Sequence, residues 1–188
     1  MFAARLLSTR RSRRTFAAPA SVEDLSALFD LCAKTREVEL SDLGFDLEFR
    51  QHPSSGAIQS IHWLVQRTEH EAWSLYDGKR HELVCLVNSE NNSRALRTSA
   101  NMVLSTSNAS LLALAAEPGK CAAKYEAFES LVWRDAGVML GYLSVCAEAL
   151  GLACCPLGIT GDPEIAGLDE QGRLRGVGLA LIGRPLLD

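Results

Sequence analysis

The sequence predicts a single α+β domain spanning residues 1–188. Segments with helical and strand periodicity alternate irregularly. A long apolar helical stretch occupies residues 122–150, and the chain closes on the apolar run Val177–Ile182. A regular alternation of strand and helix, the mark of a parallel doubly wound sheet, is missing. A chain of 188 residues has the length of one domain. At that size roughly 70% of the unfolded surface is buried on folding, enough for a core without disulfide or metal staples.

The elements follow in order. Ser21 with Asp24 three positions later has the form of a capping box. Leu25, Leu28, Phe29 and Cys32 then recur at helical spacing, so residues 22–34 read as an amphipathic helix. Residues 35–52 are polar and mixed, with a short strand at Phe45–Phe49. Pro53-Ser54-Ser55-Gly56 is a turn or helix-start signal. Ile61, Trp63 and Val65 alternate, which makes 60–67 a strand. Short strands are expected at 73–76 and 82–87 around an Asp77-Gly78 turn. Asn101–Ser107 is expected as a further strand and Ser110–Ala116 as a short helix. The stretch 122–150 carries Phe128, Leu131, Val132, Val138, Met139, Leu143, Val145 and Cys146, and is expected to break, if anywhere, near Asp135–Gly137. Its apolar part, 136–155, holds Gly141, Glu148 and Gly151 and ends on Cys-Cys-Pro, so it reads as a buried core helix rather than a membrane span.

Composition narrows the classes. Hydrophobic residues make up 47% and charged residues 22%, which argues against a disordered, collagen-like or coiled-coil chain. The balance of 19 basic and 23 acidic side chains, net −4, argues against a nucleic-acid binder. Six cysteines lack a C-x-x-C pair and read as buried free thiols in a reducing, cytoplasmic setting. His52, His62, His70 and His81 form no H-E-x-x-H motif, so no metal site is expected. Residues 1–22 hold five arginines and no acid, a composition that also suits a transit peptide.

Three segments carry candidate chemistry. Arg10-Arg11-Ser12-Arg13-Arg14-Thr15-Phe16 offers forked donors matched to phosphate, with a serine hydroxyl beside them; a solvated basic tail is the plainer reading. His52-Pro53-Ser54-Ser55-Gly56-Ala57 is small enough for backbone amides to approach a flat ligand, or is an ordinary turn. Gly151–Gly158 is a loop with unpaired amides, or a helix cap and turn. Gly172, Gly176, Gly178 and Gly183 do not make G-x-G-x-x-G, so no Rossmann site is indicated.

In this order the segments resemble the nitroreductase superfamily of FMN enzymes over about residues 8–185. The R-R-S-x-R-x-F opening fits residues 10–16, the P-S-S turn before a strand fits Pro53–Gly56, G-L-x-x-x-P-L-G fits Gly151–Gly158, and the closing G-x-P fits Gly183–Pro185. Pro-Ser-Ser-Gly-Ala, Leu75-Tyr76-Asp77, His81-Glu82-Leu83 and Lys124-Tyr125 are similar to the SagB-type branch, which includes azoline dehydrogenases. The resemblance implies a mostly antiparallel central sheet flanked by helices. It also implies a homodimer with FMN at the interface, in which 126–150 suits the subunit contact, and NAD(P)H as a transient reductant. Arg10, Arg11, Ser12 and Arg14 are implied as phosphate, ribityl and pyrimidine contacts, with Arg14 the cation beside the flavin N1/C2 carbonyl edge. Pro53, Ser54, Ser55 and Gly56 would line the ring, and Pro156, Leu157, Gly158 and Ile159 would face its N5/O4 edge. Arg184 would supply a further basic contact. Lys124 and Tyr125 would serve proton removal from a small-molecule or peptide substrate. Many superfamily members carry asparagine where this chain has Ala57, which favours a second reading: a flavin-binding protein with little turnover.

Overall fold

The computed structural model describes residues 2–68 and 71–186; His70 lies outside them. The described chain runs α1 (Phe2–Thr9), β1 (Phe16–Pro19), α2 (Val22–Cys32), β2 (Glu37–Glu39), β3 (Leu47–Phe49), a 3-10 turn (Ser55–Ala57), β4 (Ile61–Gln66), β5 (Ser74–Asp77) and β6 (Glu82–Cys85). It continues with α3 (Glu90–Val103), β7 (Ser110–Ala116), α4 (Pro118–Ala122), α5 (Phe128–Ala149), β8 (Ala153–Leu157), a second 3-10 turn (Ala166–Leu168) and β9 (Arg175–Pro185). The class is α+β. Seven strands form one antiparallel sheet, and β2 and β3 make a separate hairpin. From β9 the sheet steps outward through β7, β4 and β5 to β6 at the edge. Leu179–Ile182 of β9 pair with both β7 and β8, so β8 lies on the opposite side of β9 from β7, and β1 pairs with the end of β9 at Gly183–Pro185.

Both faces of the sheet are covered. Trp63 and Val65 of β4, with Leu112 and Leu114 of β7, pack under α2 and α5. Leu64, Leu111 and Ala113 point the other way, in one cluster with Leu96 and Ala100 of α3. This double burial explains one correction. Ser110–Ala116 is strand β7, not a helix: all seven residues are buried, so their apolar run carries no alternation to separate the two. The expected strand at Asn101–Ser107 is also wrong, since 101–103 form the last turn of α3. That helix is polar by composition, and its buried Arg97 donates to Gln66 Oε1 and to the carbonyls of Thr106 and Ala109.

α2 keeps its expected start, with Ser21 Oγ accepting from Asp24 N–H and Asp24 accepting from Ser21 N–H. The stretch 122–150 divides before Phe128 rather than near Asp135–Gly137, and α5 runs unbroken through Gly137 and Gly141. Gly151, at φ +70, ends it in the left-handed conformation that glycine reaches without steric cost. The segment read as a loop then becomes β8, paired with β9. Five of the six free cysteines are buried, but Cys85 is exposed on β6. Among the described residues no helix is long and apolar enough to cross a membrane, and no side-chain cluster suits a metal.

Candidate functional site

The arginine segment is docked into the fold. Arg10 N–H donates to Leu6 O at 3.0 Å, closing α1. Arg13 N–H donates to Cys154 O of β8 at 3.0 Å, and its guanidinium lies 3.6 Å from Glu148 near the end of α5. Residues 11–15 line a cavity of about 270 Å³ with Pro185 and Leu186. Arg14 lines a second, of about 210 Å³, with Val103, Leu104, Cys155, Pro156, Leu157 and Gly158. Among the described residues Arg10, Arg11 and Arg14 make no ion pair with a carboxylate, so this end of the site is cationic. Burial raises the Cys155 thiol, and the Arg14 guanidinium beside it works in the opposite direction.

Two of the expected contact residues have partners within the chain. Arg184 donates to Asp24 Oδ2 at 3.0 Å, the same oxygen that takes Ser21 N–H, so its guanidinium is engaged by the cap of α2. Burial opposes ionisation of Asp24, yet the Arg184 and Ser21 bonds hold its carboxyl below the ordinary value. The Ile159 side chain packs with the cluster under α3.

The serine turn forms a second group. Ser54 Oγ accepts from Gln59 Nε2 at 3.0 Å. Ser55 donates twice to Asp135 of α5, from its amide at 2.9 Å and from its hydroxyl at 3.0 Å. His52 Nδ1 lies 3.2 Å from Pro53 O. Burial lowers the His52 pKa, so the ring is neutral and carries its proton on Nδ1 toward that carbonyl. Gly56, Ala57 and Gln59 all have positive φ, at +62, +58 and +50. Such backbone is strained for the non-glycine pair and persists only where its surroundings enforce it.

Lys124 and Tyr125 lie in the link between α4 and α5, after a helix rather than at the start of one; Tyr125 N–H still donates to Cys121 O. The link turns both side chains onto the serine turn. A β-carbon built on Gly56 would stand 2.7 Å from Tyr125 Oη and 3.0 Å from Lys124 Nζ. The lysine ammonium also lies 5.6 Å from the Tyr125 ring centre. Gly56 therefore leaves room where two proton-bearing groups converge. Asp135 is the residue that sequence reasoning left without a role. Its signal was an acid amid the apolar residues Val132, Ala136 and Met139.

The two groups contact α5 at Asp135 and Glu148, thirteen residues apart, or about 20 Å along a helix. On α5, Trp133, Gly137 and Gly141 are exposed at four-residue spacing, and a β-carbon on either glycine would meet nothing within 4 Å.

Comparison with known proteins adds the following. A family model described as "Nitroreductase family" matches residues 7–177. No curated protein sequence matches the chain significantly. Among solved structures, a Ralstonia eutropha protein described as a nitroreductase is 20% identical with a TM-score of 0.74, covering 100% of this chain and 85% of its own. A chain of the E. coli microcin synthetase McbBCD complex with truncated pro-MccB17 bound is 15% identical with a TM-score of 0.67, covering 97% and 73%. A nitroreductase with bound FMN from Bacteroides fragilis is 14% identical with a TM-score of 0.58, covering 99% and 91%.

Proposed function

The chain belongs to the nitroreductase family, and from that premise we propose that it is an FMN-dependent oxidoreductase working as a homodimer. The observation that carries the reading is the convergence of Lys124 and Tyr125 on Gly56. It leaves a cradle beside two proton-bearing groups, while a separate cationic pocket opens at Arg11, Ser12 and Arg14. The donor set fits the cofactor: guanidinium forks and a hydroxyl suit a phosphate, and a strained turn free of large side chains suits a flat ring.

Bound FMN would accept and return a hydride, and NAD(P)H is the reductant we assign to it. The rest falls to the protein. Arg10, Arg11, Ser12 and Arg14 hold the phosphate, ribityl and pyrimidine end. Pro53, Ser54, Ser55 and Gly56 pack on the ring, and Asp135 fixes their turn. The backbone at Pro156–Ile159 would face the N5/O4 edge. Arg184, whose Nε is engaged by Asp24, would supply the further basic contact from the outer edge of its guanidinium. The spacing along α5 supports the dimer, because antiparallel packing of two α5 helices brings the arginine pocket of one copy toward the serine turn of the other. Trp133, Gly137 and Gly141 form the face for that packing.

Lys124 and Tyr125 take and relay a proton from a carbon acid, the step that opens an azoline-type dehydrogenation of a peptide. Likeness to a chain of a peptide-bound synthetase complex lends this substrate class support. Ala57 favours the other reading, a flavin-binding protein with little turnover.

The purified protein should be yellow and show the two visible bands of oxidised flavin. Arg10→Ala with Arg14→Ala should weaken FMN binding roughly ten- to a hundredfold. Lys124→Ala and Tyr125→Phe should keep full flavin content, react normally with dithionite, and slow reduction by a dehydrogenation substrate in stopped-flow absorbance. Unchanged FMN affinity in the double arginine variant refutes the phosphate assignment. Wild-type reduction rates in the other two make the pair structural.

A further inference from the structure

A cavity of about 550 Å³ opens between α2 and the β5–β6 hairpin, away from every residue assigned to flavin. Its apolar wall is Val22, Leu25, Phe29 and Leu83. Phe29 is stacked on Tyr76 at 4.3 Å with 17° between the rings, which makes one side of the cavity flat. A hydrogen-bonded chain crosses the opposite side. Tyr76 Oη lies 2.8 Å from His81 Nδ1, and His81 Nε2 lies 3.0 Å from Ser26 Oγ. His81 holds a left-handed backbone, at φ +56, while its ring is bonded at both nitrogens.

The direction of this chain is set by its buried end. Tyr76 is 7% exposed, and among the described residues its hydroxyl has His81 as its sole hydrogen-bonding partner. Burial also pushes its phenol well above the ordinary value, so it stays protonated. A buried donor left unmet is costly, so Tyr76 donates to Nδ1. Neutral imidazole then carries its proton on Nε2 and donates to Ser26 Oγ. The Ser26 hydroxyl proton remains, on an exposed residue at the cavity mouth, with no protein acceptor among the described residues. The site therefore presents the Ser26 donor beside an apolar floor, with Arg67 and Glu71, ion-paired at 3.0 Å, Ser74 and Glu82 also in its lining, and its volume is within the range of small-ligand pockets.

We propose that this cavity is a second ligand site, distinct from the flavin site, that takes an aromatic or apolar molecule bearing a carbonyl acceptor read by Ser26. The oriented Tyr76–His81 pair makes that selection by fixing which way Ser26 points its proton.

The test titrates the holoprotein with 2-acetylnaphthalene and with naphthalene, followed by saturation-transfer NMR. The acetyl compound should bind about fivefold more tightly, the ratio set by one net hydrogen bond. Ser26→Ala should remove that ratio and leave naphthalene binding unchanged. Alanine at an exposed helix position favours folding, so loss of structure is not a concern. Leu83→Trp should fill the cavity and abolish both signals while flavin content stays the same. Equal binding of the two compounds, a ratio that survives Ser26→Ala, binding that survives Leu83→Trp, or no binding at millimolar concentration overturns the proposal and reduces the chain to a hairpin clasp. No readout depends on the flavin being functional, so this proposal and the oxidoreductase reading fail separately.

Discussion

Asp135→Asn tests how the serine turn is held. The native carboxylate accepts two bonds from Ser55, at 2.9 Å from the amide and 3.0 Å from the hydroxyl, and is 8% exposed. Asparagine has the same shape but one acceptor oxygen. That oxygen can serve the amide, since the amide can only donate. The new NH₂ must then face Ser55 Oγ, whose own proton loses its acceptor. Bonds to a charged group are worth about 1.5–3 kcal/mol each and neutral ones about 1. Relief of the buried charge offsets part of the difference, so the net loss should be about 1–2 kcal/mol in urea denaturation, with an unchanged slope. Ser55→Ala removes only the hydroxyl bond. If the two residues act as a unit, the double variant should fall short of additivity by about 1 kcal/mol. The freed turn can leave its positive-φ backbone, so FMN binding must then restore it; that ordering cost should raise the dissociation constant roughly tenfold. Additivity within about 0.5 kcal/mol, with FMN affinity unchanged, refutes the role of Asp135 in holding the turn.

Three further outcomes follow from neighbouring geometry. Gly56→Ala should cost about 1–2 kcal/mol for its left-handed backbone and displace Tyr125 Oη, 2.7 Å from the new carbon, so flavin reduction should slow more than denaturation midpoints shift. Ala57→Asn should stabilise by about 0.5–1 kcal/mol, because asparagine tolerates the +58° backbone that alanine resists; a destabilised variant contradicts this. Burial raises the Glu48 carboxyl, but bonds from Thr35 at 2.7 Å and Arg50 at 2.8 Å outweigh it and hold the group below 4.5. A folded-state value below the unfolded one gives stability that is complete above 4.5 and lost as pH falls through the lower value. Glu48→Gln should flatten that acid limb in a pH series of melting curves.

The fold was legible where one face of an element is wet. α2 shows helical spacing and a capping box because Ser26 and Ala27 face solvent while Leu25, Leu28 and Phe29 do not. β7 failed because it is buried on both faces. β8 failed because Gly151, Pro156 and Gly158 punctuate the segment like a loop, whereas its pairing is supplied by β9 from far along the chain. α3 failed because its buried side includes Ser93 and Arg97, which satisfy their polar groups through Gln66, Glu71 and backbone carbonyls that only the folded chain brings near. α1 was masked by the arginines that follow it.

The candidate site was legible as motifs and illegible as an assembly. Local spacing marked 10–16, 53–57 and 151–158, since each is a short stretch whose small or cationic residues must be contiguous to meet a ligand. Partners across long separations left no such trace. Ser55 and Asp135 are 80 residues apart, and Arg184 reaches Asp24 over 160. Arg184 shows why this matters: it is a lone cation near the end of the chain, and only the pairing of β9 with β1 at Gly183–Pro185 brings it to the cap of α2. Lys124 shows the converse. In sequence it belongs to an ordinary helical turn, yet it stands just past the end of α4 at Ala122, where both it and Tyr125 reach Gly56 although neighbours on a helix diverge by about 100°.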